Sequence, residues 1–173
     1  FVKGQDLRYG ENPHQMAAFY KAEGGGLASI DQLNGKELSF NNIVDLESAF
    51  NIVSYFANPT VAIVKHNNPC GVAQAKSVHE AYLKAYKCDK VSAFGGIVAS
   101  NKAIDEKTAK EISKIFIEAV IAPDFTTGAI DEFKKKMNLR VIKYPVSTFE
   151  RKKNTLDFKK VSGGLLLQDS DIA

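Results

Sequence analysis

A lysine and a histidine stand side by side at the end of an apolar run. Lys65 and His66 directly follow residues 61–64, whose length and β-branched composition predict a buried strand. A lysine cation can stabilise negative charge that develops on a reacting oxygen, and an imidazole exchanges its proton near neutral pH. The pair could therefore provide charge stabilisation and general-base catalysis at one place in the fold.

The residues after this pair predict that the strand breaks into a loop. They are Asn67, Asn68, Pro69 and, after a cysteine, Gly71, which would let the backbone approach a ligand closely. Neighbouring side chains of a strand point to opposite faces, so the lysine and the histidine can serve one substrate only if the strand has ended. Ligands of open α/β sheets bind beyond the carboxyl ends of the strands, and the amide of Asn67 could contact a ligand there. An ordinary solvated strand end has the same pattern, so both interpretations stay open.

Four further residues, in three segments, have chemistry that could serve a ligand. Arg8 and Tyr9 lie in a predicted loop, and the donor fork of an arginine matches phosphate oxygens, although a plain surface loop reads the same way. Gly95 precedes a second apolar run, where paired glycines indicate tight packing or a ligand close to the main chain. Glu118 falls near the predicted end of a helix, where the helix dipole disfavours an acid.

The order of predicted elements indicates the fold class. Helices are predicted to begin at Asp45, Ser77 and Asp105, with a further short helix over 129–137. They alternate with short apolar strands at 61–64, 97–99, 120–123 and 141–142. This alternation predicts an α/β protein, a three-layer sandwich with a mostly parallel sheet. Residues 1–144 would form the first unit, and 145–173 a connecting segment and the start of a second one.

Composition restricts the functional class. The chain has 173 residues, of which 45% are hydrophobic, enough for one core. The net charge of +3, with acidic and basic residues mixed, gives no reason to expect a nucleic-acid partner. We expect no membrane span and no signal peptide. Cys70 and Cys88 are the only cysteines, which predicts neither a disulfide framework nor a metal site and favours the cytoplasm as the compartment. The start without methionine suggests a piece of a longer polypeptide.

Six motifs in a fixed order carry a resemblance to a known family. They are L-R-Y-G-E-N-P-H-Q, L-N-G-K-E-L-S-F-N-N-I-V-D, V-K-H-N-N-P-C-G-V, S-A-F-G-G-I-V-A, V-I-A-P and V-S-G-G-L-L-L-Q-D. In these motifs the chain resembles the bifunctional AICAR transformylase/IMP cyclohydrolase family of purine biosynthesis. The resemblance covers nearly the whole chain and corresponds to the amino-terminal half of the transformylase domain.

The resemblance implies a cytidine deaminase-like fold and a formyltransferase activity. The formyl group would pass from 10-formyltetrahydrofolate to the 5-amino group of AICAR, the aminoimidazole carboxamide ribonucleotide. His66 would accept the proton and Lys65 would stabilise the transition state. The substrate-binding residues that the resemblance implies are Arg8, Tyr9, Gly95 and Glu118, and Asn67 joins them as a candidate because of its amide. Glu118 stands where the family pattern has an aspartate.

The resemblance also indicates what this chain would lack. The cyclohydrolase domain of the family has no counterpart in the motifs. Neither has the second half of its transferase domain, which carries most of the folate site and further nucleotide contacts. Family active sites are completed across a homodimer. We therefore expect this chain to provide about half of a site.

Three other interpretations remain open from the sequence. A zinc deaminase would need H-x-E and P-C-x-x-C, but His66 is followed by asparagines and position 73 is alanine. A thiol enzyme would use Cys70 as the nucleophile and His66 as its base, which requires an activated thiol. A folded nucleotide-binding half without turnover of its own is the third.

Overall fold

The computed structural model describes residues 1–22, 26–145 and 156–171. The helices in these ranges are α1 (Phe40–Ser54), α2 (Val78–Cys88), α3 (Glu106–Ile112) and α4 (Thr127–Lys134), and a short 3-10 helix covers Gly26–Ser29. The strands are β1 (Val2–Leu7), β2 (Ala17–Lys21), β3 (Asp31–Asn34), β4 (Thr60–Lys65), β5 (Asn68–Gln74), β6 (Ile97–Ser100), β7 (Ala119–Ala122), β8 (Arg140–Lys143), β9 (Leu156–Val161) and β10 (Gly164–Asp169).

A mixed six-stranded sheet forms the centre of the described structure. Its strand order is β3-β8-β7-β6-β4-β5. Strands β6, β7 and β8 are mutually parallel, and β5 runs in the same direction because it is antiparallel to β4, which is itself antiparallel to β6. Strand β3 is antiparallel to β8. The predictions of an α/β protein and of a mostly parallel sheet are confirmed, in the sense that four of the six strands run in one direction; the sheet is mixed because β3 and β4 run in the other.

The antiparallel pairing of β4 has a local cause that the sequence prediction missed. The segment after Lys65 turns back at once and continues as β5 instead of leaving the sheet as a loop. Helix α2 therefore connects β5 to β6, two strands of the same direction, and β4 lies between them. Pro69 is tolerated in β5 because this strand is at the edge of the sheet. A side chain at Gly71 would collide with the carbonyl oxygen of Ala85, so this glycine serves close packing on α2.

Helices cover both faces of the sheet. Helix α1 packs on one face, where its buried residues Leu46, Ala49 and Val53 meet alternate residues of β4, β6, β7 and β8. Helices α2, α3 and α4 pack on the other face against the intervening residues of the same strands. Strands buried on both faces explain why residues 61–64 read as a continuous apolar run. The three-layer arrangement is thus present, while the closer comparison with cytidine deaminase stays a prediction.

Three helices differ from their predicted bounds. Helix α4 covers Thr127–Lys134 where 129–137 was predicted. Helix α1 begins after Ser39, which forms a reciprocal capping box with Asn42, so Asp45 lies inside the helix and not at its N-cap. Helix α3 ends at Ile112, and Glu118 comes directly before β7. The dipole of α3 therefore has no bearing on Glu118.

Two hairpins lie outside the central sheet. Strands β1 and β2 pair with each other, and so do β9 and β10, which extends regular structure into part of the predicted connecting segment. The rest of residues 145–173, namely 146–155 and 172–173, lies outside the described residues, and the predicted boundary at 144/145 stays a prediction. None of the helices in the described ranges has the length and apolar character that crossing a bilayer requires.

Candidate active site

Four residues form a row along one edge of the central sheet. Lys65 ends β4, Gly95 lies just before β6, Glu118 immediately precedes β7 and Arg140 begins β8. The register aligns them, because Val64 pairs with Ile97, Ile97 with Ala119, and Ala119 with Arg140. The row lies at the carboxyl end of β4 but at the amino ends of the three parallel strands. The expectation that Lys65 and His66 lie at the carboxyl end of a strand is therefore confirmed, whereas Gly95, Glu118 and Arg140 reach the same edge from the amino ends of their strands.

A cleft of about 630 Å³ opens above this row. Six of the seven residues singled out in the sequence line it, namely Arg8, Tyr9, Lys65, His66, Gly95 and Glu118. Asn67 does not, because its side-chain oxygen accepts a hydrogen bond of 2.9 Å from the hydroxyl of Ser48 on α1. The fold thus brings six of the predicted residues, from four separate segments, to one cleft, while the side chain of the seventh bonds outside it.

The turn between β4 and β5 explains how Lys65 and His66 can share the cleft. His66 and Asn67 have φ angles of 52° and 61°, which is the left-handed backbone of a two-residue hairpin turn. His66 is therefore already outside the strand, and the alternation of faces no longer applies to it. Its exposed imidazole makes no hydrogen bond with the described residues and is available to a ligand.

The ammonium group of Lys65 is held near the main chain of the turn that precedes β6. Its Nζ donates a 2.8 Å hydrogen bond to the carbonyl oxygen of Phe94. Gly95 follows with φ of 73°, a conformation that favours glycine, and its N–H donates to the carbonyl oxygen of Phe116 at 2.8 Å. A cation and a tightly turned backbone therefore meet at the floor of the cleft.

Glu118 is paired with Arg140, which the sequence analysis did not single out. The guanidinium Nη1 lies 2.6 Å from the carboxylate of Glu118, and its Nε donates to the carbonyl oxygen of Glu37 at 2.9 Å. The arginine side chain is only 12% exposed and that of Glu118 is 37% exposed. Arg140 thus fixes the position of a carboxylate that stays accessible from the cleft. The sequence around Arg140 does not indicate this role, because Arg140 and its partner Glu118 are 22 residues apart.

Arg8 and Tyr9 form the outer part of the cleft. The guanidinium carbon of Arg8 lies 5.6 Å from the ring centroid of Tyr9, within the range of a cation–π contact. Within the described residues Arg8 has no carboxylate partner and its side chain is exposed. An arginine without an anion at the rim of a cleft suits a phosphate group.

Cys70 lacks the features of an activated thiol. Burial raises the pKa of Cys70, and the negative charge of Asp89 raises it further, whereas Lys65 has a smaller opposing effect. The thiolate is therefore disfavoured where a nucleophile would need it. The raised pKa of Cys70 therefore disfavours the thiol-enzyme interpretation.

Comparison with known proteins assigns the chain to a family. The family model described as AICARFT/IMPCHase bienzyme matches residues 1–173. The chain belongs to this family. Two curated relatives, both named bifunctional purine biosynthesis protein PurH, come from Acetivibrio thermocellus and Ruminiclostridium cellulolyticum. They are 54% and 53% identical to the chain over 98% and 97% of its length.

The chain spans about a third of the length of these relatives, 34% and 33% respectively. Among solved structures, RibD of Acinetobacter baumannii matches 57% of this chain and 35% of its own, with a TM-score of 0.42 and 13% identity. That likeness is too weak to support a statement about fold or function. The family assignment rests on the sequence matches.

For a member of the AICARFT/IMPCHase family, the cleft gives no reason to invoke metal chemistry. Within the described residues, no group of three or more His, Cys, Asp or Glu side chains is arranged to hold a metal ion. The zinc-deaminase motifs are also missing from the sequence around His66 and Cys70. That the protein binds no metal ion stays a prediction, based on the side chains available as ligands.

Proposed function

We propose that this chain supplies the nucleotide side and the proton-transfer groups of a formyltransferase site. The reaction is transfer of the formyl group of 10-formyltetrahydrofolate to the 5-amino group of AICAR, in purine biosynthesis. The observation that carries the proposal is the turn after β4, which gives Lys65 and His66 access to one cleft together with Arg8 and Tyr9. Membership of the AICARFT/IMPCHase family supplies the substrate class.

The chemistry of the transfer calls for a base and a cation. The amino group of AICAR is conjugated to a carboxamide through the ring and is a weak nucleophile. As its nitrogen bonds to the formyl carbon, it must lose a proton, and His66 accepts that proton. The formyl oxygen becomes negatively charged at the same time, and the ammonium group of Lys65 stabilises it. The bond from the formyl carbon to the folate nitrogen then breaks, and that nitrogen regains a proton.

The remaining cleft residues bind the nucleotide. Arg8 and Tyr9 hold the phosphate, and the main chain at Gly95 lies against the base or the ribose. Glu118 accepts hydrogen bonds from the substrate, and Arg140 keeps its carboxylate in place at 2.6 Å. A glutamate reaches farther than the aspartate of the family pattern, so we propose that Arg140 compensates by drawing its carboxylate back toward β8.

The proposal assigns the other parts of the reaction to protein beyond this chain. The folate site, a homodimer that completes the active site and the cyclohydrolase activity belong to the remaining two thirds of the length of the relatives. A cytidine deaminase-like topology is likewise part of this proposal. On this view the isolated chain binds AICAR without turning it over.

A formyl-transfer assay on two proteins tests the proposal. A full-length protein that carries this chain should convert AICAR with 10-formyltetrahydrofolate, while the isolated chain should show no detectable turnover. The reason is that positioning of the donor accounts for a large part of such rates, and the donor site is missing. Steady turnover by the isolated chain, free of full-length contaminant, would contradict the proposed division of the site. No turnover by the full-length protein would contradict the activity itself.

A further inference from the structure

The turn that presents His66 is held by a carboxylate from helix α1. Asp45 accepts hydrogen bonds from two consecutive main-chain N–H groups, that of His66 at 3.3 Å to Oδ2 and that of Asn67 at 2.7 Å to Oδ1. Each oxygen thus has its own donor. Hydrogen bonds to an ionised acceptor are stronger than those between neutral groups.

This turn needs such support. Both of its central residues have positive φ, which costs energy for any residue with a side chain and suits asparagine better than histidine. Two side-chain bonds add to the effect of Asp45. The Ser48 hydroxyl donates to Asn67 at 2.9 Å, and the Asn68 amide donates to the carbonyl oxygen of His66 at 2.8 Å.

Helix α1, which carries Asp45, is packed tightly against the sheet. Its neighbouring residues Leu46 and Ala49 are completely buried against the sheet, so the backbone that carries Asp45 is fixed relative to β4. Asp45 itself lines the cleft, with its carboxylate directed at the turn. The side chain of Asp45 therefore links the main-chain N–H groups of His66 and Asn67 to a helix that is packed on the core.

We propose that Asp45 is a positioning residue for the transfer: it holds the left-handed turn and thereby sets the location of the His66 imidazole over the cleft. This rests on the proposed function, in which His66 accepts the proton. Asp45 acts through the main chain of the turn, and its loss lets the imidazole move away from the amine while the nucleotide contacts of Arg8 and Tyr9 stay intact.

The test compares single and double variants in a full-length protein that carries this chain. Asp45→Ala should lower kcat by about ten- to hundredfold, the usual cost of misplacing a reacting group by about 1 Å. The KM for AICAR should change by no more than about twofold, because binding is not what is lost. Asp45→Asn keeps one acceptor oxygen, so its kcat should lie between that of Asp45→Ala and that of the unmodified protein. Glu47→Ala removes an exposed carboxylate from the same helix and is the matched control.

A rescue variant distinguishes positioning from contact with the substrate. Glycine adopts positive φ without strain, so Asn67→Gly added to Asp45→Ala should restore a large part of the lost kcat. A substrate contact by Asp45 would instead raise KM and resist this rescue. A purely structural role would lower the melting temperature and leave kcat at saturation unchanged. Either result would overturn the proposal.

Residue-resolved amide hydrogen exchange on the same proteins tests the turn independently of activity. The amides of His66 and Asn67 should exchange markedly faster in Asp45→Ala than in the unmodified protein or in Glu47→Ala. If exchange quickens but kcat holds, the positioning role is wrong and the formyltransferase activity stands. If no protein shows formyl transfer, the proposed function fails, and the positioning role in that reaction fails with it, whatever the exchange data say about the turn. Unchanged exchange in Asp45→Ala would refute the hydrogen bonds on which the inference depends.

Discussion

Replacing His66 with alanine is expected to lower the saturated turnover of formyl transfer by about a hundredfold or more, the usual contribution of a positioned general base. Affinity for AICAR should change much less, since the imidazole interacts with a proton that leaves during the reaction. The measurement is kcat at saturating AICAR in a full-length protein that carries this chain, together with the dissociation constant of AICAR.

Two further variants make this experiment specific to the imidazole. Alanine is strained at the φ of 52° that His66 adopts, whereas asparagine tolerates it, so His66→Asn removes the base and keeps the turn. It should lose as much turnover as His66→Ala. His79→Ala removes an imidazole near the start of α2, at the opposite end of the sheet, and should retain kcat. Near-normal turnover of His66→Asn would rule out the general-base role.

Replacing Lys65 with methionine is expected to lower kcat by about a hundred- to a thousandfold, the range found when one stabilising donor is removed from a developing oxyanion. Methionine retains much of the length and apolar character of the lysine stem and removes the charge. The 2.8 Å bond from Nζ to the carbonyl oxygen of Phe94 is lost as well, so unfolding must be measured beside the kinetics. The KM for AICAR should change little, because the charge acts on the formyl oxygen.

Charge-matched variants separate this effect from a general loss of positive charge. Lys65→Arg keeps the cation but spreads it over a larger planar group, and it should recover only part of the rate. Lys102→Met removes an exposed cation beyond the other end of β6 and should leave kcat unchanged. Equal losses in Lys65→Met and Lys102→Met would show that the role of Lys65 is not local.

The apolar strands could be predicted because burial on both faces leaves a direct mark in the sequence. Residues 61–64 form a run without polar interruption, and β4 is buried along that run on both sides. The helix start at Ser77 was equally readable, because its side chain accepts from the N–H of Glu80 as a capping serine does. The start of α1 was missed because its capping box uses Asn42 where Glu or Gln is usual.

The reversal of the chain after Lys65 was harder to predict. A histidine at positive φ is uncommon, and Pro69 argued against a following strand. The strand forms because it lies at the edge of the sheet, a property that depends on the order of all six strands. Sequence could place Lys65 and His66 beside each other, but the shared access to one cleft comes from this reversal.

The partners within the site depended on tertiary structure. Arg140 meets Glu118 only because β7 and β8 are parallel neighbours, and Asp45 meets the turn only because α1 packs over β4. Neither pairing has a local sequence pattern. The bond between Asn67 and Ser48 has no local sequence pattern either. Asn67 was expected to contact the substrate, but it bonds to Ser48 outside the cleft. Its predicted role in binding stays a prediction that the geometry does not favour.

A titration of the isotope-labelled chain with AICAR, followed by backbone amide NMR signals, tests most directly whether this cleft binds the nucleotide. We expect saturable shifts concentrated at Tyr9, Lys65, Gly95 and Glu118, around one cleft, with signals of α2 and α3 unmoved. Saturable shifts confined to another surface would contradict this expectation. So would their absence at AICAR concentrations far above those that saturate a full-length protein, because the residues of this cleft would then not bind the nucleotide.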